Sequence, residues 1–335
     1  MNRGRPKKQK SHKLAKENQE QISTEQQDNL RKIINELEKK FGKGVIHFAT
    51  DERPKDKIAL PVKELNDLTG GGIQCGSFSI IWGNKAVAKT TLAFYLIADA
   101  QKQEKQCIYF AIEPGFDKKW AEKCGIQLDK LLIVRPKTAE EAMDTLIKLS
   151  KEKVIDFAVI DSIQALSPEG EQQTKKGKEK SVADDTMALL ARKLSLFFRM
   201  CARDVYRGNV AVLLIGQART DLGGFFAFEK LSGGHALEHW SALTLKAYRG
   251  TKADAPRYKF KIIDKKGKKK TKEIIIGFNL SVKVEKTKIS GTRPEGSEIK
   301  IPFYYEYGFK KPTDIQIEKL YSFDIECEKD IEEND

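Results

Sequence analysis

The sequence has few cysteines, no long apolar run and no cysteine pair at metal-binding spacing. Its five cysteines are scattered through 335 residues, at Cys75, Cys107, Cys124, Cys201 and Cys327. This pattern excludes a disulfide framework and a cysteine zinc site, and it predicts free thiols in a reducing cytoplasm. No run of about 18 apolar residues is present, so we expect no transmembrane helix and no membrane partner. The first residues also lack the apolar segment of a secretory signal peptide.

Basic residues outnumber acidic residues by 61 to 48, which gives a formal net charge of +13. A strongly basic chain favours a polyanionic partner such as nucleic acid. Residues 1–22 are predicted to be a disordered basic arm. Within this arm Arg3-Gly-Arg-Pro6 resembles a minor-groove AT-hook, although a basic tail without sequence preference is the favoured interpretation. Residues 311–335 read as a short acidic tail with little that could pack, and deleting its end should tighten duplex binding.

Residues 23–57 are predicted to be an N-terminal helix and linker. Apolar side chains recur along one face of this helix at Leu30, Ile33, Ile34, Leu37 and Phe41. Such a stripe packs either on its own domain or on a neighbouring subunit, and the second interpretation makes the segment a docking element.

Apolar strands alternate with amphipathic helices between residues 77 and 216. This alternation predicts an α/β fold with a mostly parallel twisted sheet and helices on both faces. From residue 243 the pattern changes to antiparallel strands, which complete a predicted core of residues 58–310. A basic hairpin is predicted at residues 257–280, and its tip carries five lysines between Lys265 and Lys270. We interpret this tip either as a second DNA-binding surface or as a solvated charged turn.

A phosphate-binding loop is predicted between the first buried strand and the helix that follows it. The stretch fits G-x-x-x-x-G-K-[ST] except that Ala88 replaces the second glycine. A helix N-terminus offers free N–H groups and a positive dipole end to phosphate. Lys89 would reach the β- and γ-phosphates, and Thr90 would hold Mg²⁺. A chance turn is the alternative. The predicted nucleotide contacts are Gly83, Asn84, Lys85, Ala86, Val87, Ala88, Lys89, Thr90 and Thr91.

Polar side chains also end three neighbouring strands. Asp161 follows Val159-Ile160, where a carboxylate can bind Mg²⁺. Glu113 ends the preceding strand, where it can deprotonate the attacking water. Gln217 ends a third strand, where an amide can sense the γ-phosphate. Each alone is an ordinary strand end, but ligands of open α/β sheets sit at this edge, so the combination predicts an ATPase site.

With these segments in order, the chain resembles the RecA-type recombinases over about residues 25–310. The departures are Ala88, a lysine-rich insertion before Thr186, the basic hairpin and the near absence of the family's C-terminal domain. They point to the phage-type branch, of which UvsX is one example. The resemblance implies a RecA-type P-loop ATPase core. It rests on Leu37–Gly44, Ala111–Asp117, Val159–Ser162, Gln217–Arg219, Gly233–Leu237 and Lys286–Lys288.

The resemblance also implies roles for individual residues. Glu113 matches the catalytic base and Gln217 the switch between nucleotide and DNA. Lys286 and Lys288 match lysines that reach the ATP of the adjacent subunit, although alternating lysines also suit a solvated strand face. The residues that match the adenine-binding positions are Asp117, Trp120, Tyr307 and Gly308.

Two loops are then expected to bind single-stranded DNA, at about residues 168–187 and 218–232. The clustered phenylalanines of the second loop suit stacking on bases, and Gly233 and Gly234 after it suit backbone approach to phosphate. A solvent-facing polar stripe and a hydrophobic lid are the alternatives for the first and second loop. His235 stands where the family has an amide. The candidate DNA contacts are Met187, Arg192, Ser195, Arg199, Arg219, Phe225, Phe226, Gly233 and Gly234.

The resemblance therefore implies an ATP- and Mg²⁺-dependent recombinase that forms helical filaments on single-stranded DNA and exchanges strands with homologous duplex. A loader or a single-strand-binding protein would accompany it in a bacterial or phage-infected cell, near the nucleoid. Two alternatives stay open at this point. The first is a nucleotide-binding DNA mediator that hydrolyses little ATP, which Ala88 motivates. The second is a ring-forming helicase or clock-type ATPase of the same fold.

Overall fold

The computed structural model describes residues 26–52, 54–172, 189–221, 228–263 and 268–322. The chain divides into two units, Met1–Pro54 and Lys55–Asp335. In the first unit, residues 26–41 form helix α1, in agreement with the predicted helix. Three side chains of its predicted apolar stripe are exposed, namely Leu30, Ile33 and Phe41.

The second unit alternates strands and helices through its first half. Its elements are β1 (Lys57–Ile58), α2 (Lys63–Leu68), β2 (Ile73–Gln74), β3 (Ser77–Gly83), α3 (Lys89–Lys102), β4 (Cys107–Ala111), α4 (Lys118–Lys123), β5 (Leu131–Val134), α5 (Ala139–Glu152), β6 (Phe157–Asp161), α6 (Glu169–Gln172) and α7 (Leu189–Gly208). The second half is mainly strand, with β7 (Ala211–Asp221), β8 (Phe228–Leu231), α8 (His235–Trp240), β9 (Ser241–Arg249), β10 (Arg257–Ile263), β11 (Lys269–Ile275), β12 (Gly277–Thr287), β13 (Glu298–Tyr304) and α9 (Asp314–Leu320).

The central sheet has nine strands within the described part of the chain. Eight of them run in the order β13-β12-β9-β3-β7-β6-β4-β5, and β8 pairs with β7. The strands from β9 to β5 are parallel, whereas β12 and β13 are antiparallel. This arrangement confirms the predicted mostly parallel sheet with antiparallel strands on its C-terminal side.

The two faces of the sheet bury separate apolar clusters, because successive strand residues point to opposite faces. Helix α3 covers one face, where Leu96 packs near Leu213 and Leu245. Helices α5 and α7 cover the other face, where Leu146 and Phe198 join the same cluster. The sheet thus holds the carboxyl ends of β3, β4, β6 and β7 at one edge.

The sequence interpretation was wrong about two elements near the C-terminus. The hairpin predicted at residues 257–280 is shorter, because β11 ends at Ile275 and β12 begins at Gly277. A Cβ atom at Gly277 would lie 2.0 Å from the Phe303 carbonyl oxygen, so glycine permits β12 to approach β13. Helix α9 falls within the expected acidic tail, yet its Ile317 is buried with Ile276.

Helix α9 begins with a reciprocal cap. The Thr313 hydroxyl accepts a hydrogen bond from the Gln316 amide nitrogen, and the Gln316 side chain accepts one from Thr313. This cap explains how a seven-residue helix is stable in a polar stretch. In the described residues, no helix is long and apolar enough to span a membrane.

Candidate ATPase and DNA-binding site

The phosphate loop, Gly83–Thr91, joins the end of β3 to the start of α3. Gly83 pairs with Gln217 on one side and Ala247 on the other. A Cβ atom at Gly83 would lie 1.8 Å from the Ala247 carbonyl oxygen, so only glycine fits where the loop leaves the sheet. The loop therefore begins at the edge where the predicted polar residues lie.

Ala88 occupies the position of the missing glycine and has φ 60° and ψ 23°. This is the left-handed region, where a Cβ atom costs about 1–2 kcal/mol. Ala86 also has a positive φ, of 56°. The loop thus adopts a backbone conformation that glycine would favour, with alanine at both positions.

Lys89 is buried, and its side-chain ammonium group contacts the backbone of the phosphate loop. Its Nζ donates to the carbonyl oxygens of Gly83, at 2.9 Å, and Asn84, at 2.5 Å. Burial lowers the pKa of Lys89, and the nearby carboxylates of Asp161 and Glu113 oppose this effect. A buried lysine with only carbonyl partners suits a site that takes negatively charged phosphate oxygens.

Asp161 ends β6 opposite Ala111 of β4. Its Oδ2 accepts hydrogen bonds from Thr90 Oγ1, at 2.6 Å, and from Tyr109 Oη, at 2.7 Å. Burial raises the pKa of Asp161, whereas these two hydrogen bonds lower it. The hydroxyl and carboxylate are hard oxygen donors, so this pair fits the Mg²⁺ that the sequence implies.

A second polar cluster surrounds Glu113. Its Oε1 accepts hydrogen bonds from the Ser162 hydroxyl and from Gln217 Nε2, the latter at 2.6 Å. The backbone N–H of Gln217 donates a hydrogen bond to Gln164 Oε1 at 2.8 Å, and Gln164 Nε2 donates one to the Ser232 carbonyl oxygen. The structure thus brings Glu113 and Gln217 together, and Gln164, shortly after β6, connects β7 with Ser232, the residue that follows β8.

One cavity of about 650 Å³ contains most of the predicted nucleotide site. Besides the loop and the carboxylates, Phe278, Phe303 and Tyr305 line it, together with Arg249. The Arg249 guanidinium lies 4.4 Å from the centre of the Phe278 ring and donates to the Tyr305 hydroxyl. Sequence analysis missed these four residues. The two-residue spacing of the aromatic residues Phe303 and Tyr305 was the available signal. The lining comprises Lys85, Ala86, Val87, Ala88, Lys89, Thr90, Thr91, Glu113, Asp161, Ser162, Ile215, Gln217, Arg249, Phe278, Phe303 and Tyr305.

The predicted adenine-binding residues lie outside this lining. The Asp117 carboxylate caps helix α4 by accepting a hydrogen bond from the backbone N–H of Trp120. The indole Nε1 of Trp120 donates a hydrogen bond to Thr91 Oγ1 at 3.0 Å. Gly308 has φ 62° and packs against Tyr95. Trp120 therefore touches the loop's first helical turn, while Tyr307 contacts Lys123 at 5.3 Å.

Lys286 lies on β12 and Lys288 directly follows that strand, and both side chains bind the end of helix α8. Lys286 Nζ donates to the carbonyls of Glu238 and His239, and Lys288 Nζ donates to the latter at 3.2 Å. Cations at a helix C-terminus are favourable because the last carbonyls lack partners. Burial lowers the pKa of Lys286, and Lys288 adds to this effect.

The candidate DNA residues divide into three groups. Arg192, Ser195 and Gly234 line one cavity of about 510 Å³ beside α8. Arg199 and Arg219 are exposed and lie outside that lining, and Gly233 has φ 125° before α8. His235 and Trp240 also line the cavity. Met187, Phe225 and Phe226 lie outside the described residues.

Comparisons with known proteins agree with this fold. The family of the RecA N-terminal domain matches residues 28–309. Protein RecA of Syntrophus aciditrophicus (strain SB) is 31% identical over 287 residues, which cover 84% of this chain and 76% of that protein. Protein RecA of Geobacter sulfurreducens is 30% identical over 299 residues, which cover 88% of this chain and 81% of that protein.

Proposed function

The chain belongs to the RecA family, and we propose that it is a DNA-dependent ATPase that pairs and exchanges homologous DNA strands. The hydrogen bond between Gln217 and Glu113 carries this proposal. It joins a strand that continues toward the second predicted DNA loop to the carboxylate at the candidate catalytic position. Such a contact gives DNA binding near β7 a direct route to the candidate catalytic carboxylate.

Glu113 is proposed as the base that takes a proton from the attacking water. Both described hydrogen bonds end on its Oε1, so Oε2 is left to accept that proton. Lys89 would exchange the loop carbonyls for phosphate oxygens as ATP binds. Mg²⁺, held by Thr90 and Asp161, would neutralise charge on the phosphates.

The nucleotide base is proposed to enter the aromatic end of the cavity. Phe278 and Tyr305 line the cavity there, and aromatic rings favour stacking. Trp120 remains a candidate for the opposite wall because it touches Thr91. Asp117 would then act through its cap on the helix that carries Trp120.

Subunits are proposed to assemble head to tail into an open helical filament. Such heterologous contacts give a helix when the rotation does not close. The exposed stripe of α1, with Leu30, Ile33 and Phe41, offers apolar area for a neighbouring subunit. Lys286 and Lys288 would leave α8 to neutralise γ-phosphate charge on the neighbour's ATP.

Single-stranded DNA is proposed to bind along α7 and the start of α8, where Arg192, Ser195 and Gly234 share a cavity. The outward face of the β10–β11 hairpin carries exposed Lys259, Lys261 and Lys269, and we propose it for the incoming duplex. Phosphate contacts of this kind are sensitive to salt. The acidic residues after α9 would compete with that duplex.

A mediator that barely hydrolyses ATP is not favoured, because Lys89, Glu113, Asp161 and Gln217 meet in one cavity. Assignment to the phage-type branch, a location near the nucleoid, and a loader or single-strand-binding partner remain proposals.

Electron microscopy with single-stranded DNA, ATP and Mg²⁺ tests the proposal, followed by a strand-exchange assay. Helical filaments that convert circular single strands and linear duplex to joint molecules are expected. Closed rings, or filaments without exchange, would refute it.

A further inference from the structure

A second contact joins the hairpin of β7 and β8 to the phosphate loop. Asn84 Nδ2 donates a hydrogen bond to Glu229 Oε1 at 2.6 Å. Asn84 follows Gly83, and its backbone carbonyl accepts the hydrogen bond from Lys89. A chain of two hydrogen bonds therefore runs from Glu229 on β8, through Asn84, to the buried lysine of the loop.

The charge of Glu229 is balanced at its other oxygen. Lys246 Nζ lies 3.1 Å from Glu229 Oε2 and also 4.8 Å from the centre of the Trp82 ring. The hydrogen bonds from Asn84 and Lys246 hold the pKa of Glu229 below its ordinary value, so the carboxylate stays ionised at neutral pH. An ionised acceptor makes the bond to Asn84 stronger than one between neutral groups.

The same hairpin carries Gln217. Strand β8 pairs antiparallel with the outer part of β7, with Thr220 opposite Glu229 and Ala218 opposite Leu231. The hairpin thus reaches the ATPase site at two points. Gln217 contacts the candidate base Glu113, and Glu229 contacts the phosphate loop. Residues 222–227, part of the second predicted DNA loop, join the two strands.

We propose that Glu229 is a positioning residue that transmits DNA binding to the phosphate loop through Asn84, separately from the Gln217–Glu113 contact. This inference rests on the proposed function. A shift of β8 along β7 would move the Glu229 carboxylate and break or shorten its hydrogen bond with Asn84. Lys89 would respond, because its partner is the carbonyl of the same asparagine. The contact therefore acts on ATP affinity, whereas Gln217 acts on the carboxylate that activates water.

Thermodynamic linkage gives this proposal a sharp test. If DNA changes the affinity for ATP by some factor, ATP changes the affinity for DNA by the same factor. The factor is measured with a slowly hydrolysed fluorescent ATP analogue, titrated with and without an oligo(dT) strand. It is measured again by fluorescence anisotropy of labelled oligo(dT), with and without the analogue. Variants Asn84→Ala, Glu229→Ala and the double substitution are compared with wild type.

Glu298→Ala is the matched control. Glu298 lines the same cavity of about 520 Å³ as Asn84 and Glu229, and it is hydrogen-bonded to Tyr248. The control removes one carboxylate from the same surface without breaking a loop contact. Unchanged thermal unfolding midpoints show that each variant is folded.

Each single substitution should reduce the coupling factor about tenfold, the effect of losing one charge-assisted hydrogen bond of about 1.5 kcal/mol. The reduction should be equal in both titrations, absent in Glu298→Ala and no larger in the double variant, because both changes break the same bond. A coupling factor that stays at the wild-type value in either single variant would overturn the inference while leaving the proposed function intact. Additive losses, or an equal loss in the control, would overturn it as well. A wild-type protein without any coupling would remove both the inference and the proposed function.

Discussion

Gln217 Nε2 lies 2.6 Å from Glu113 Oε1, and this hydrogen bond connects the end of β7 with the candidate catalytic carboxylate. Gln217 also pairs in register with Gly83, the first residue of the phosphate loop. The Gln217 side chain therefore lies between the candidate base Glu113 and the phosphate loop. Its strand continues into the hairpin that precedes Gly233 and Gly234, the candidate DNA-binding glycines.

Gln217→Ala should uncouple hydrolysis from DNA. A hydrogen bond to a charged group contributes about 1.5–3 kcal/mol, so the stimulation of ATP hydrolysis by single-stranded DNA should fall by about tenfold or more. Steady-state ATPase rates with and without oligo(dT) measure this ratio. Gln103→Ala removes an exposed amide at the end of α3 and should keep the wild-type ratio. Equal stimulation in the two variants would contradict the assigned role of Gln217.

Ala88→Gly should stabilise the protein. Glycine adopts φ 60° without the penalty that alanine incurs, and the gain outweighs the larger entropy of the unfolded chain. We expect the free energy of unfolding to rise by about 1 kcal/mol in urea denaturation. Ala202→Gly, in the middle of the long helix α7, should instead lose about 1 kcal/mol. Loss of stability in both variants would show that the left-handed conformation of Ala88 carries no strain.

Tyr305→Ala should weaken ATP binding more than Tyr307→Ala. Tyr305 lines the cavity of the phosphate loop, whereas Tyr307 lies beside Lys123. Loss of a stacking ring should raise the KM for ATP by about tenfold in the first variant. The second should stay close to wild type. The opposite order would restore the assignment made from sequence resemblance.

These two tyrosines illustrate which part of the candidate site could be predicted from the sequence and which part could not. The alternation of strands and helices placed Lys89, Glu113, Asp161 and Gln217 at one sheet edge, because parallel strands end on the same side. It did not show which aromatic residue of residues 303–309 faces the cavity. Tyr305 and Tyr307 lie in the turn that follows β13, where the two-residue period of a strand no longer applies.

Local backbone conformation and hydrogen bonds between distant residues could also not be predicted from the sequence. The cost of Ala88 depends on the sign of its φ, which no spacing pattern reports. Asn84 and Glu229 are 145 positions apart, and their contact depends on how β8 folds back on β7. Helix α9 was missed because its surroundings are charged and only Ile317 is buried in it.

Mixing two inactive variants should test whether Lys286 and Lys288 act between subunits. One variant carries Lys286→Ala and Lys288→Ala, and the other carries Glu113→Gln. If the lysines act in trans, about a quarter of the interfaces in an equal random mixture combine an intact site with intact lysines. ATPase activity should return to about that fraction of wild type.

Each variant alone at the same total concentration is the control for this mixture. A mixture no more active than its components would contradict the trans role. It would leave Lys286 and Lys288 with the structural role of holding the carbonyls at the end of α8.

The most direct test of the account is ATP hydrolysis by the wild-type protein with and without single-stranded DNA, beside Glu113→Gln. Strong stimulation by DNA that disappears in Glu113→Gln is the predicted result, since the variant keeps the hydrogen-bonding shape of Glu113 but lacks the base. Tight binding of DNA in the presence of ATP, with no hydrolysis by the wild-type protein, would contradict the account.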